Sequence, residues 1–553
     1  MNDEQRFQLI NSARRFPPPQ GVTLSYGTAG FRAHASILES TVFRMGILSA
    51  LRSLKTRSVI GLVITASHNK VSDNGIKVAD PCGGMLAQEW EPFANCLANA
   101  RNVEDLLHII EEFVVKENIE VAGNWIAEIL LGRDSRPSGE PLIEAAKQGI
   151  SSIIGAVAHD MGILTTPQLH WMVRARNKGL RCAEIDYFEQ LSSSYKIVMD
   201  LIPDEINSSR ANNQLIVDGA YGVGGDKVKF LKPMLQYMSL EVRNCAQDGG
   251  VLNENVGADF VQKEKVPPLG FGTKDIGVRC VSLDGDADRF IYFMIAPNDC
   301  KTIVLVDGDK ILSLFATFIK EQLAILNVTE DEVRLGVVQT AYANGASTNY
   351  LKSVGLNVVF APTGVKHLHK QASLYDIGIY FEANGHGTIL FSDAFLEWLR
   401  TKKQALSSTS KGSMQHMVVL RLLAVSDLIN QAVGDALSGM LLVEAILKHK
   451  GWSIDTWNEL YHDLPSRQLK VKVPDRDAVQ TSSVETVVIK PPGIQEAISL
   501  EISKYCHGRA FIRPSGTEDV IRVYAEASTQ EDADTLASAI ANLVNQYIGV
   551  GAT

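Results

Sequence analysis

Three aspartates form the motif of this 553-residue chain that is best suited to chemistry. Asp284, Asp286 and Asp288 alternate between two apolar runs, in a pattern that lets a curved loop aim them at one centre. Three such carboxylates suit a hard divalent cation, and they repel one another without a cation or a basic partner. The spacing is not that of an EF-hand, because the sixth position is Arg289 and the twelfth is Ile295. The alternative interpretation is a solvated acidic turn.

Ser67 follows an apolar run, residues 62–65, that stops at small and polar residues. This pattern predicts a buried strand followed by a tight loop. A serine held at the end of a strand can carry a phosphoryl group, or act as a nucleophile where a neighbour activates it. The Ala-Ser-His-Asn segment does not match nucleophile signatures such as G-x-S-x-G, so an ordinary surface turn is the simpler interpretation of this loop taken alone.

Two later loops carry groups suited to a sugar. One follows a Pro-Thr-Gly turn and supplies Lys366, and the other follows an apolar run and supplies Glu382, Ala383, Asn384 and His386. A carboxylate and an amide together can bind vicinal hydroxyl groups.

A last motif lies near the C terminus, between two predicted strands. It offers two guanidinium groups, two hydroxyls and free backbone N–H groups, which together suit a phosphate dianion. Its residues are Arg513, Pro514, Ser515, Gly516 and Thr517, with Arg522 further along the second strand.

The composition is that of an ordinary globular protein and excludes several functions. A net charge of −10 and a pI near 5.7 argue against a nucleic-acid surface. No segment has the apolar length of a membrane span, and the polar start of the chain and its scattered cysteines favour neither secretion nor a disulfide framework. The cytoplasm is therefore the expected compartment. A run rich in Ser, Thr and Lys, residues 402–413, predicts a mobile loop.

The elements that must position these residues are strands followed by Gly-, Pro- or hydroxyl-rich turns and then helices. The pattern recurs at residues 131–139, 163–170 and 214–231, and again in three segments between 333 and 392. Ligands collect at the carboxyl ends of strands in such α/β domains. Neither the dinucleotide fingerprint nor the P-loop motif occurs, so the usual evidence for nucleotide binding is missing.

Together, the loops at Ser67, Asp284, Glu382 and Arg513 resemble the four signature loops of the α-D-phosphohexomutase superfamily, and they are most similar to its eukaryotic acetylglucosamine branch. The resemblance spans residues 26–526. It implies an α/β protein of four domains around a central cleft, three with mixed sheets and a smaller C-terminal α+β domain. The expected domains are residues 1–193, 194–301, 302–452 and 453–553.

The resemblance also implies a role for each loop. Ser67 is expected to be a phosphoserine, and Asp284, Asp286 and Asp288 are expected to hold one Mg²⁺ together with a phosphoserine oxygen. Residues 382–384 would bind the sugar hydroxyls. Residues 513–517 and Arg522 would bind the non-reacting phosphate.

The implied reaction interconverts N-acetylglucosamine 6-phosphate and 1-phosphate through a bisphosphate, and it supplies UDP-N-acetylglucosamine synthesis. Positioning and charge neutralisation dominate such transfers. The candidates for the proton acceptor are Lys366, His68, His386 and Arg32 acting with a neighbour. Of these, Lys366 is expected first of all to bind the substrate. The small Ala383 and Gly385 are expected to leave room for the 2-acetamido group.

Other functions remain as alternatives. They are a glucose or mannose phosphate mutase of the same fold, a catalytically silent sugar-phosphate-binding protein, and a metal-dependent phosphatase. An intact Ser67 and three intact acids argue against a silent protein, and a closing cleft would restrict the water that a phosphatase needs. The expected partner is a small sugar phosphate, with no nucleic acid and no membrane, and a monomer is the working expectation.

The chain departs from the superfamily in two places. The Gly-Arg-Asp and Thr-Pro segments, at residues 132–139 and 165–167, follow the serine loop instead of preceding it. The acetylglucosamine branch shares this permuted order. Lys70 stands where the family usually has proline, which puts the rigidity of the serine loop in question.

Overall fold

The computed structural model describes residues 1–28, 30–121, 123–203, 214–515 and 519–548. Its α-helices are α1 Asp3–Ala13, α2 Glu39–Thr56, α3 Glu91–Ala98, α4 Val103–Lys116, α5 Gly139–Ser151, α6 Thr166–Asn177, α7 Glu184–Asp200, α8 Val223–Leu231, α9 Ala258–Glu264, α10 Gly308–Ile325, α11 Gly345–Ser353, α12 Val365–Ala372, α13 Asp393–Thr409, α14 Met414–Leu428, α15 Ala436–Lys450, α16 Ile454–Asn458, α17 Ile494–Ile502 and α18 Gln530–Ile548.

The strands alternate with these helices through most of the chain. They are β1 Phe31–His34, β2 Ile60–Ile64, β3 Asp73–Ala79, β4 Ala127–Arg133, β5 Ala156–Ile163, β6 Gln214–Gly222, β7 Ser239–Cys245, β8 Arg279–Leu283, β9 Phe290–Ile295, β10 Ile303–Val306, β11 Leu335–Gln339, β12 Asn357–Phe360, β13 Ile377–Phe381, β14 Gly387–Phe391, β15 Ser466–Lys472, β16 Gln480–Thr481, β17 Val488–Lys490, β18 Arg509–Pro514 and β19 Val520–Glu526.

The chain divides into two compact units. The first comprises Met1–Asp307, Asn384–Thr388 and Val419–Gly451, and the second comprises Gly308–Ala383, Ile389–Val418 and Trp452–Thr553. Among the described residues, no helix is both long and apolar enough to cross a membrane.

The first unit contains two mixed sheets whose loops carry the predicted chemistry. One sheet has the order β1-β3-β2-β4-β5, in which β2, β4 and β5 run parallel. All five residues of β2 are buried, as its apolar sequence predicts, and Ile64 at its end pairs with Arg133. The loops after β2 and β4 therefore leave the sheet side by side.

The second sheet has the order β10-β9-β8-β6-β7, and it holds the acidic motif in a turn. Strands β8 and β9 are antiparallel and almost entirely buried, and Leu283 pairs with Phe290 where the two strands meet. This pair closes the loop between them. The three aspartates must therefore lie in one tight turn.

The second unit contains three strands of the sheet of order β12-β11-β13-β14, whose last strand has its first two residues in the first unit, and an antiparallel sheet of order β15-β19-β18. Strands β12, β11 and β13 run parallel. Helices α17 and α18 pack on the antiparallel sheet around a core that includes Ile512, Ile521 and Leu536. The α/β class, the mixed sheets and the distinct C-terminal sheet are confirmed, whereas the four domain boundaries and the central cleft remain predictions.

One local prediction was wrong. Residues 402–409 are not a mobile loop but the second half of α13, whose N-cap Ser392 accepts a bond from the Phe395 amide. The hydroxyls of Ser407, Ser408 and Thr409 donate to the carbonyls four residues earlier. These bonds let three residues that usually favour turns continue the helix.

Candidate active site

Ser67 lies in the loop after β2 and is fully buried, so it is not part of a surface turn. Its backbone is left-handed, with a φ of 52°, and its amide donates to Thr65 Oγ1 at 3.0 Å. The Thr65 hydroxyl in turn donates to Asp134 Oδ2 at 2.7 Å, in the neighbouring loop after β4. A non-glycine residue in this backbone conformation is held there by its surroundings.

Two side chains clamp the carbonyl groups of this loop. Arg136 donates through Nη2 to the carbonyls of Ser67 and Asn69, both at 2.9 Å, and through Nη1 to the carbonyl of Lys70. Asn253 Nδ2 donates to the first two carbonyls at 2.8 and 3.0 Å. The loop is therefore fixed by hydrogen bonds, and it does not depend on a proline ring at position 70.

The structure brings Ser67 together with the three aspartates. Its Oγ donates to Asp284 Oδ2 at 2.5 Å and lies 3.4 Å from Asp288 Oδ1. One carboxylate oxygen from each of Asp284, Asp286 and Asp288 lies within 4.8 Å of the others, and all three residues are buried. Asp286 Oδ1 is buried without a hydrogen-bond partner among the described residues. Three buried carboxylates, one of which has an oxygen without a hydrogen-bond partner, fit a divalent cation that prefers oxygen ligands.

Lys77 supplies positive charge inside this acidic cluster. It lies on β3, and its Nζ donates to Asp286 Oδ2 at 2.8 Å and to Asp288 Oδ2 at 2.9 Å. Burial opposes the charged form, but the two carboxylates raise the pKa of Lys77 above its ordinary value. The ammonium is therefore protonated at neutral pH.

The aspartates differ in their proton affinity. Burial, followed by the charges of Asp288 and Asp286, raises the pKa of Asp284 well above its ordinary value. Burial acts in the same direction on Asp288, but Lys77 and His386 outweigh it and hold the pKa of Asp288 well below its usual range. The cluster thus contains one carboxyl that favours a proton and one that stays ionised.

Two predicted histidines and Arg32 lie in the same unit. His386 Nδ1 lies 3.3 Å from Asp288 Oδ1, and its Nε2 is buried without a partner among the described residues. Burial, and then the charges of Arg289 and Arg32, lower the pKa of His68, so this ring is neutral and a weak base. Burial and the charge of Arg289 also lower the pKa of Arg32, whose Nε is buried with no partner in the described part of the chain.

The predicted sugar-binding loop follows β13. Glu382 and Ala383 end one segment of the second unit, whereas Asn384 and His386 belong to the first unit, and the Asn384 side chain accepts a bond from the His386 amide at 3.0 Å. Gly385 has a φ of 85°, and a Cβ there would lie 2.1 Å from the carbonyl oxygen of Phe290. Backbone packing is therefore sufficient to explain this glycine, and the space for an acetamido group remains a prediction.

The predicted phosphate-binding motif lies in the second unit, and part of it can be described. Arg513 and Pro514 end β18, and Arg513 pairs directly with Arg522 on β19. Ser515 Oγ and Arg522 Nε are buried without partners among the described residues. Two paired guanidinium groups with unsatisfied donors beside them suit an anion. Gly516 and Thr517 lie outside the described residues.

Lys366 also lies in the second unit, half-buried in the first turn of α12. The turn before it is Pro362, Thr363 and Gly364, as the sequence predicts. Its role in binding or proton transfer remains a prediction.

Sequence reasoning missed four residues of the site in the first unit: Lys77, Arg136, Asn253 and Thr166, whose hydroxyl donates to Asp286 Oδ2 at 2.6 Å. Only Lys77 left a readable signal. It is a lone lysine among the apolar residues that end β3, and such a residue needs a buried acidic partner. Nothing in the sequence pairs Asn253 with Ser67, because the two are 186 residues apart.

Family models match three parts of the chain. The model of phosphoacetylglucosamine mutase AMG1, domain III, matches residues 307–452. Two phosphoglucomutase/phosphomannomutase models also match: the alpha/beta/alpha domain I at residues 46–93 and 99–184, and the C-terminal domain at residues 469–543.

Similar solved structures cover nearly the whole chain. The Aspergillus fumigatus N-acetylphosphoglucosamine mutase in complex with GlcNAc-6P and magnesium is 40% identical, with a TM-score of 0.90 over 98% of this chain and 99% of that one. A serine-to-alanine variant of that enzyme, in complex with glucose 1,6-bisphosphate, is 39% identical, with a TM-score of 0.89 over all of both chains.

Whole-length relatives agree with these matches. The phosphoacetylglucosamine mutase of Homo sapiens is 44% identical over 96% of this chain and 95% of its own length. That of Arabidopsis thaliana is 63% identical over 99% of this chain and 100% of its own length. The chain therefore belongs to the phosphoacetylglucosamine mutases of the α-D-phosphohexomutase superfamily.

Proposed function

We propose that the protein interconverts N-acetylglucosamine 6-phosphate and N-acetylglucosamine 1-phosphate, with Ser67 as the residue that carries the phosphoryl group. The observation that carries this proposal is the buried Ser67 Oγ, 2.5 Å from Asp284 within a cluster of three carboxylates. A serine with only a structural role has no need of such a costly cluster beside it. The GlcNAc-6P and magnesium bound by the Aspergillus fumigatus relative support the substrate and the metal.

The proposed transfer has two balanced steps. In the first step, the bond between Ser67 Oγ and phosphorus breaks while a bond forms from phosphorus to the free sugar hydroxyl; the sugar hydroxyl gives up its proton and Ser67 Oγ takes one up. The bisphosphate then reorients, and the bond between its other phosphorus and the sugar oxygen breaks while a bond forms from that phosphorus to Ser67 Oγ; Ser67 gives up its proton and the sugar oxygen takes one up. Mg²⁺ held by Asp284, Asp286 and Asp288 would supply charge that offsets the phosphoryl oxygens.

We assign the proton transfer to His386. A hydrogen on its Nδ1 can be donated to Asp288 at 3.3 Å, which leaves the buried Nε2 as the acceptor atom. His68 is the weaker candidate, because its surroundings lower its pKa. We expect His386→Gln to lower kcat by about 100-fold with little change in KM.

The remaining residues of the site would bind substrate. Lys77 and Arg32 would hold positive charge beside the reacting phosphoryl group, and Arg513, Ser515 and Arg522 would hold the non-reacting phosphate. Glu382 and Asn384 would bind the sugar hydroxyls. We further propose that the enzyme acts in the cytoplasm as a monomer, and light scattering of the purified protein tests the oligomeric state.

The test is a coupled assay with N-acetylglucosamine 6-phosphate, glucose 6-phosphate and mannose 6-phosphate side by side. We expect the highest kcat/KM for the first, and no turnover for any of them with Ser67→Ala. Ser499→Ala, an exposed serine on α17, is the matched control and should keep full activity. Equal or reversed specificity would favour the glucose or mannose mutase, and substantial activity of Ser67→Ala would refute the mechanism.

Metal dependence is tested separately. Activity should disappear with a chelator and return with Mg²⁺, and calorimetry should detect weaker Mg²⁺ binding to Asp286→Ala. Turnover that survives complete chelation would contradict the proposed metal role.

A further inference from the structure

Glu485 lies at the tip of the turn between β16 and β17. The Glu485 amide donates to the Ser482 carbonyl at 3.0 Å, and the Ser482 amide donates to the Val487 carbonyl at 2.7 Å. Glu485 has a φ of 59°, which is in the left-handed region. Glycine adopts this conformation readily, asparagine and aspartate adopt it occasionally, and other residues are disfavoured there. A glutamate here indicates that its side chain contributes enough to offset the backbone cost.

The Glu485 carboxylate joins two loops for which the sequence predicts a role in substrate binding. Its Oε2 accepts bonds from the amide and the hydroxyl of Thr363, in the turn before α12. Its Oε1 accepts a bond from Arg513 Nη1 at 3.0 Å, in the Arg-Pro-Ser-Gly-Thr motif. All these residues belong to the second unit.

Arg513 is held at a second point by Tyr342. Its Nε donates to the tyrosine hydroxyl at 3.3 Å, and the guanidinium carbon lies 5.7 Å from the centre of the ring. Nη2 makes no hydrogen bond within the described part of the chain, where the bonds of Arg513 come from Nε and Nη1. Because Nε and Nη1 both donate hydrogen bonds, the orientation of the guanidinium group is fixed, and Nη2 remains available to a ligand.

We propose that Glu485 is a positioning residue for the non-reacting phosphate: it orients Arg513 towards that phosphate and ties the motif to the turn that precedes Lys366. The inference rests on the proposed function. The unsatisfied Ser515 Oγ and Arg522 Nε, one close along the chain and one directly across the strand pair, supply the other donors. Phosphate binding and the placement of α12 are thereby linked through one carboxylate.

The opposite role would be that of a competitor, in which Glu485 must release Arg513 before phosphate can bind. Its geometry favours positioning, because both carboxylate oxygens are already satisfied and Arg513 offers Nη2 without breaking the ion pair. The two side chains are also partly hydrated, at 16% and 19% exposure, so solvent weakens any repulsion between the carboxylate and a bound phosphate.

The experiment measures steady-state kinetics with N-acetylglucosamine 6-phosphate. Glu485→Gly removes the carboxylate at a position where glycine relieves the backbone, so loss of folding does not obscure the result. We expect KM to rise about tenfold with kcat within about twofold, because a contact made equally in the ground and transition states affects binding alone. Glu485→Gln keeps an acceptor for Thr363 but loses the charge, and should raise KM roughly threefold.

Two further readouts separate positioning from a general structural effect. Mg²⁺ affinity and phosphorylation of Ser67 should not change, and Glu496→Gln, an exposed glutamate on α17, should leave KM unaltered. In an Arg513→Ala background, Glu485→Gly should add less than about twofold, because residues that act as one unit are not additive.

Several outcomes would overturn the proposal. An unchanged KM in both Glu485 variants would remove the positioning role, and a lower KM would show that the carboxylate competes with phosphate. Fully additive effects in the Arg513→Ala background would also refute it. Inactivity of the unaltered protein on every sugar phosphate would instead refute the proposed function, so the two failures are distinguishable.

Discussion

Lys77→Met tests whether a buried cation holds the acidic cluster together. Methionine keeps the length of the apolar stem and removes only the ammonium. Lys77 Nζ donates to Asp286 at 2.8 Å and to Asp288 at 2.9 Å, and none of the three side chains is more than 8% exposed. Water therefore cannot replace the lost donor without rearrangement of the loop.

We expect the substitution to lower the free energy of unfolding, because two buried carboxylates lose their common partner. Removing one member of a buried ion pair destabilises proteins by about 3–5 kcal/mol. The carboxylates can take up a proton in response, so we expect about 3 kcal/mol, at the lower end of that range. Bound Mg²⁺ would replace the missing charge, so the variant should regain more stability from the metal than the unaltered protein does.

Hydrogen exchange of the β3 amides measures this effect locally, in a chelator and in saturating Mg²⁺. The control is Lys147→Met, because Lys147 pairs with Asp160 at 2.8 Å but about a third of each side chain is exposed. Its loss should cost at most about 0.5–1 kcal/mol. If, in the chelator, the β3 amides of the Lys77→Met variant had the same opening free energy as those of the unaltered protein, the reasoning would be refuted.

Two more predictions concern neighbouring features. Asn253→Ala removes two hydrogen bonds to the serine loop. We expect steady-state kinetics to show kcat lowered about tenfold and intact mass to show Ser67 still phosphorylated, whereas an unchanged kcat would mean that Arg136 alone fixes the loop. Burial lowers the pKa of His170 to about 4, whereas the pKa of histidine in the unfolded chain is near 6.5. The neutral His170 ring therefore contributes fully to the free energy of unfolding above pH 6.5, and this contribution is lost as the pH falls towards 4. His170→Asn, which can still donate to the Gly83 carbonyl, should remove about 3 kcal/mol of that pH dependence in unfolding measured from pH 7 to 4, and an unaltered slope would contradict the assignment.

The fold and the centre of the site were predictable because both depend on local patterns. The apolar runs that became β2 and β8 end where glycines, small residues and acids begin, so the positions of Ser67 and Asp284 at strand ends followed directly. The resemblance to the superfamily then connected loops that no local pattern could bring together. Membership of the superfamily is confirmed by the full-length relatives.

The supporting residues were not predictable for a physical reason. Arg136 and Asn253 act on carbonyl groups of the serine loop, and backbone acceptors leave no trace in the sequence. The same limit explains the error at residues 402–409, where serine and threonine favour a turn by propensity but bond to the preceding helical turn instead.

The bond between Ser67 and Asp284 also has a consequence for synthesis of the chain. The two residues are 217 positions apart, and at about 5–20 residues per second the ribosome needs roughly 10–40 s to travel from one to the other. During that interval the serine loop exists without the acids that later surround it. An N-terminal fragment that ends before Asp284 therefore cannot assemble the site, and the catalytic loop of the nascent chain remains incomplete until more than half of the protein has been made.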